Sequence, residues 1–187
     1  KLNYVELKQL PALLHLDIKS NLLKKLELKN LPKLYAMYCS ENLLEELTIE
    51  NIPKLQDLYC RWNNLKAIYY KENTFPQGLD FNNNPNLKYI CTTDKNAIRF
   101  KELLIQYKVS NVLINSYCDF NPFGDIGLVK GQIKFDSDKN GCDKNDFTIP
   151  TISFDIFKDT LKFGSVIQQS PYSIHLNTGN YLFKSLN

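Results

Sequence analysis

Short apolar–polar–apolar triplets recur along the first half of the chain, beginning at Val5, Leu16, Leu26, Met37, Leu47, Leu58, Ile68, Leu79 and Ile90. The outer residues of each are apolar and the middle one is usually polar, the alternation of a half-buried strand. Steps between triplets alternate 11 and 10 residues until the last, which is 11. Such a step leaves no room for a useful helix. The pattern therefore predicts two short parallel strands per turn, one on each face of a stack.

The same segment is periodic at 21 residues. Prolines fall at 11, 32 and 53; asparagines at 21, 42, 63 and 84; leucines at 13, 34 and 55 and again at 23, 44 and 65. Stacking identical positions about 4.8 Å apart predicts ladders. Asn21, Asn42, Asn63 and Asn84 are expected to turn inward and hydrogen-bond the bend, because asparagine side chains satisfy turn amides well. Leu13/Leu34/Leu55 and Leu26/Leu47/Ile68 are expected to form buried columns, each full burial stabilising by roughly 1.5–3 kcal/mol. Cys39 and Cys60, one period apart, read as small core fillers.

Written out, one unit is Leu55-x-x-Leu58-x-Cys60-x-x-Asn63-x-Leu65-x-x-Ile68-x-Tyr70. This resembles leucine-rich repeats, in the 21-residue variant found in surface and secreted proteins of Bacteroidetes. The resemblance covers about residues 2–91 and implies a leucine-rich-repeat solenoid with short parallel strands on both faces. It departs at Lys71–Gly78, where an irregular stretch predicts a looser turn.

Beyond the repeats, 92–118 read as a C-terminal cap, since a stack needs its last apolar face covered. Thr93 or Asp94 can N-cap a helix over about 95–107. Ile98, Leu103, Leu104 and Tyr107 are its expected inner residues, followed by a strand near Val112–Ile114. Cys91 and Cys118 bracket the cap and are either a disulfide, if the protein is exported, or two buried thiols.

After Asn121-Pro122-Phe123-Gly124 the period vanishes, and β-type runs at 128–135, 149–157, 160–169, 172–176 and 180–184 predict a partial antiparallel β-sandwich, immunoglobulin- or prealbumin-like, over 119–187. Between its first two runs lies an acidic loop. Asp136, Asp138 and Asn140 could ligate calcium by side chain, Cys142 by its carbonyl, and Asp146 could close the shell, while Gly141 permits the sharp turn. Phe147 stands where an EF-hand has its glutamate, and flanking helices are absent. The string resembles the loops of calcium-stiffened domains in bacterial surface adhesins and the segment that follows the repeats in the Bacteroidetes proteins.

Composition narrows the function. Apolar residues are 43% and charged residues 23%, an ordinary globular balance, and no apolar run approaches the roughly 18–20 residues of a membrane span. The net charge of +3 is weak, with lysines alternating with acids and no basic stripe, which argues against nucleic acid. The chain starts at Lys1 without a basic-then-apolar leader, as a mature or excised piece would, so the missing leader does not count against export. No nucleophile motif, HExxH or phosphate-cradling glycine loop is present, so the expectation is no enzyme.

A binding or adhesion module of a cell-surface or secreted bacterial protein is expected instead, its ligand a protein or a glycan. Asp17, Tyr38, Tyr59 and Asp80 face outward on the cysteine-bearing sheet, with Arg61 and Trp62 at its edge. Tyr, Trp and Arg are the types enriched at binding hot spots. The alternative is a passive calcium-stiffened spacer presenting another domain.

Overall fold

The computed structural model describes residues 1–141 and 143–186. It is mainly β, with many short parallel strands, several antiparallel pairs and one α-helix among the described residues. It divides into two compact units, Lys1–Cys118 and Asp119–Asn187.

In the first unit successive strands alternate between two faces. One face is a continuous parallel sheet of β2 (His15–Asp17), β4 (Ala36–Tyr38), β6 (Asp57–Tyr59) and β8 (Gly78–Asp80). Each neighbour is displaced by one period, His15 facing Ala36, Ala36 facing Asp57 and Asp57 facing Gly78. The other face pairs β1 (Tyr4–Lys8) with β3 (Lys25–Lys29). It resumes as β5 (Glu46–Ile49), β7 (Ala67–Tyr70), β9 (Tyr89–Thr92) and β10 (Leu113–Asn115).

No strand ladder joins β3 to β5, so this second face is interrupted. Across β5 and β7 lysines bond the acids of the preceding turn, Lys66 to Glu45 and Lys71 to Glu50. At the break Lys25 turns to Glu27 of its own strand instead. The interruption thus coincides with the loss of cross-strand charge pairing.

Between the faces the repeat builds its core. Leu34, Leu55, Leu47, Ile68, Met37 and Leu58 are buried, as are the free thiols of Cys39 and Cys60. Leu13, expected to join the first column, is only half-buried, because it lies in the first turn and has a neighbouring turn on one side only.

The asparagine column is continuous. Asn63 accepts from the Leu44 N–H at 3.0 Å and donates to the carbonyls of Cys39 at 3.0 Å and Cys60 at 3.1 Å. Asn42 and Asn84 repeat this arrangement one turn away on either side. Each side chain therefore ties its own bend to the preceding one, satisfying backbone groups that burial would otherwise leave unpaired. Asn21 accepts from Leu2 but stays half-buried.

The turn at 71–78 is not loose. Glu72 is buried and its carboxylate accepts from the Ile52 N–H at 2.7 Å, while its carbonyl accepts from the Asn96 side chain at 2.9 Å. The Tyr70 hydroxyl donates to the Thr74 carbonyl, and Phe75 packs edge-on against Phe100.

The helix α1 runs Asp94–Gln106, with Thr93 as N-cap accepting from the Asn96 N–H. Its inner stripe is Asn96, Phe100 and Leu104, with Leu103 and Tyr107 partly buried. Ile98, expected inside, is 62% exposed. At 100° per residue it stands about 200° from both Asn96 and Phe100, so the i, i+4 stripe excludes it. Phe100 meets Tyr70, Phe75 and Phe81, closing the end of the core. A disulfide joins Cys91 of β9 to Cys118.

The second unit is antiparallel throughout. It pairs β11 (Ile126–Gly131) with β16 (Tyr172–Asn177) and β12 (Lys134–Phe135) with β13 (Phe147–Thr148). A three-stranded sheet runs β15 (Leu161–Gln169), β14 (Thr151–Lys158) and β17 (Tyr181–Leu186). Phe154 of β14 meets Tyr172 of β16 edge-on at 5.3 Å.

Candidate functional site

The middle positions of the sequence triplets on the continuous sheet, Asp17, Tyr38, Tyr59 and Asp80, are the last residues of their strands and form one outward row in direct register. Tyr38 and Tyr59 stack at 5.4 Å with 25° between planes. The row is flanked by carboxylates held in place. Asp17 accepts from the Lys19 backbone N–H and pairs with the Lys19 ammonium at 3.2 Å; these two contacts, in that order, keep its carboxyl below the ordinary range. Asp80 accepts from the Asn82 N–H at 3.0 Å and lies 3.8 Å from the Arg61 guanidinium.

A second row on the same side was not singled out from sequence: His15, Ala36, Asp57 and Gly78, of which Ala36 is covered by its neighbours. Side chains two apart on a strand share a face, so this row follows from the first. A Cβ on Gly78 would collide with the Asp57 carboxylate and crowd the Tyr59 hydroxyl. Glycine there lets both side chains lean across the sheet.

Trp62 stands at the edge of this face, 57% exposed, with a left-handed backbone at φ 56°. The conformation belongs to the bend, since Ser20, Glu41 and Asn83, at the same position of other turns, share it. Its N–H donates to the Asn82 carbonyl and its carbonyl accepts from the Asn42 N–H. For a bulky residue a left-handed backbone costs roughly 1–3 kcal/mol. The opposite face is different, carrying Glu27, Thr48 and Tyr69 among the lysine–glutamate pairs already described.

The two buried thiols line no site. Burial pushes the Cys39 thiol up to about 12 and holds Cys60 well above the ordinary thiol value, with Cys39 and Asp80 adding to the effect.

In the second unit the acidic loop joins β12 to β13. Carboxylate oxygens of Asp136, Asp138 and Asp146 lie within 4.8 Å of one another. Two oxygens each about 2.4 Å from one calcium ion are at most about 4.8 Å apart, so the three can share a cation. Backbone donors orient them: the N–H of Gly141 reaches Asp136 at 3.0 Å, that of Asn140 reaches Asp138 at 3.3 Å, and that of Asp143 reaches Asp146 at 2.8 Å. Asn140 instead directs its amide nitrogen at Asp138, 2.7 Å away, which makes it a donor in this arrangement. Cys142 lies outside the described residues.

Comparison of the chain with protein-family models, with curated proteins and with solved structures finds no match. No helix among the described residues is long and apolar enough to cross a membrane.

Proposed function

We propose that the first unit is a leucine-rich-repeat solenoid of the Bacteroidetes surface-protein type, serving as a non-catalytic binding or adhesion module outside the cell. Its partner, a protein or a glycan, docks on the face of β2, β4, β6 and β8. One observation carries this reading: the Tyr38–Tyr59 stack, with exposed Arg61 and Trp62 at its edge, sits on one face while the other is covered by solvated ion pairs. Rigid aromatics and arginine dominate binding energy at interfaces, whereas exposed lysine–glutamate pairs contribute little. The Cys91–Cys118 disulfide supports an oxidising, extracellular setting.

The test is a screen of the purified chain on arrays of surface proteins and glycans. Replacing Tyr59 and Trp62 together with alanine is expected to abolish the hits while far-UV circular dichroism stays unchanged. Undiminished binding by the double variant would overturn the assignment.

The acidic cluster favours a second role beside the first, a calcium-braced second unit that stiffens the protein as a spacer. Asp136, Asp138 and Asp146 would hold the ion, whose charge would relieve the repulsion among them. Calcium at 100 times its Kd should stabilise this unit by about 2.7 kcal/mol. Calorimetry with added Ca²⁺ that shows neither heat nor a rise in Tm sinks this reading.

A further inference from the structure

A groove of about 770 Å³ lies on the first unit beside the bend that follows β6 and β8. One wall is Trp62 with Asn82 and Asn83; the other is the segment after α1, including Lys108 and Asn111, with Lys88 also lining it. The volume is within the range of small-ligand sites, roughly 300–1,000 Å³.

Its chemistry is one-sided. No acidic side chain lines it, and neither Lys88 nor Lys108 has an ion-pair partner among the described residues. The Asn82 side-chain oxygen accepts from the Asn83 N–H, and the amide NH₂ of Asn82 has no partner among the described residues. Asn83 and Asn111 are exposed, and the Trp62 indole makes neither a ring contact nor a hydrogen bond among the described residues. The backbones of Trp62, Asn83, Lys108 and Asn111 are all left-handed, so tightly specified bends present these side chains.

We infer that the groove binds an anionic saccharide. A flat indole offers a stacking surface to the C–H face of a pyranose, the asparagine amides match hydroxyl groups as donors and acceptors, and the lysines supply charge-assisted bonds to a carboxylate or sulfate. Pro85 and Val109 add apolar surface beside the indole, and the remaining lining is asparagine, serine and lysine. The inference rests on Trp62 being a contact residue, as in the function proposed above.

Trp62 is the one tryptophan of the chain, so its fluorescence reports the groove directly. The full chain is titrated with oligogalacturonate, with a heparin-derived oligosaccharide, with methyl-esterified oligogalacturonate and with a polyglutamate peptide, calorimetry being run on the same samples. A saturable fluorescence change with either acidic saccharide supports the inference, and which one responds tells carboxylate from sulfate. Lys108→Glu, and separately Lys88→Glu, should weaken it about tenfold. Absence of both fluorescence change and heat overturns the inference. So does equal binding of the neutral ester or of polyglutamate, or an unaltered response in the Lys88→Glu, Lys108→Glu double variant. Capture by the sheet face is scored on Tyr38 and Tyr59, which do not line the groove. Inert saccharides with Tyr59-dependent capture therefore sink the groove alone, and a saccharide response without such capture sinks the face alone.

Discussion

The two units cover their apolar side chains and backbone polar groups by different means. In the repeats of the first unit successive turns reuse one arrangement: buried leucines stack on leucines, and Asn42, Asn63 and Asn84 each bond their own bend and the one before. In residues 119–187 the strands pair antiparallel without a repeating unit, and the buried apolar residues reduce to Phe120, Phe154, Ile156, Val166, Ile174 and Leu176 among those described. Phe135 and Phe147, register partners at the base of the acidic loop, remain 60% and 75% exposed. Nearest-neighbour stacking makes stability a sum over turns, so surface changes in the first unit are tolerated while interior ones reach both adjacent turns. The second unit has far less buried apolar surface in reserve, which is where a bound cation would matter most.

The sharpest way to break this comparison is to cut each core. Leu55 and Ile156 are both fully buried. Leu55→Ala should destabilise the first unit by about 2–5 kcal/mol and leave the midpoint of the second unchanged; Ile156→Ala should do the reverse. Urea unfolding followed at probes in each unit separates the two. A single shared transition that moves with both variants would show that the units do not unfold independently.

Within the first unit the ladder itself can be graded. Asn63→Ala removes a buried side chain that serves two turns' backbone groups, one acceptor bond from Leu44 and donor bonds to Cys39, Cys60 and Arg61. Stranding buried peptide groups costs about 1–3 kcal/mol each before relaxation, so a net loss of about 2–3 kcal/mol is expected. Asn21→Ala, at the half-exposed end, should lose about 1 kcal/mol, since water can replace its bonds. Equal losses at the two positions would mean that the ladder is not what ties the turns.

Much of the first unit was legible because its physics is periodic. Triplet starts, asparagine columns and the Thr93 cap each follow from residue type and spacing. Three features were not. Left-handed backbone at Ser20, Glu41 and Trp62 is imposed by the bend and carries no glycine to announce it. Glu72 replaces repeat chemistry with a single buried carboxylate, whose partner Ile52 is 20 residues away. The inner stripe of the helix depends on where its first turn meets the stack, which exchanges Ile98 for Phe100. In the second unit alternation marks strands, but apart from the β14–β15 hairpin the larger antiparallel pairings, β11 with β16 and β14 with β17, join segments far apart in sequence without a repeating spacing. The candidate face was readable as a row of middle positions, whereas the saccharide groove joins residues from separate bends that no single motif connects.

The smallest expected difference between the units appears at alkaline pH. Burial raises Cys39 to about 12 and Tyr107 to about 12, and it also holds Cys60 and Tyr70 up; all four lie in the first unit. For an acid whose folded-state pKa is raised, the unfolded chain releases its proton first. The stabilisation is therefore fully present below the unfolded thiol value of about 8.5 and declines as pH rises toward 12. At pH 9.5 a thiol such as Cys39 should contribute a loss of about 1.4 kcal/mol relative to pH 7.5. Urea unfolding at the two pH values should show this decline in the first unit's transition, and Cys39→Ala with Cys60→Ala should flatten it. If the double variant declines as steeply as the parent, the buried thiols are not its source, and the tyrosines of the capped end become the groups to replace next.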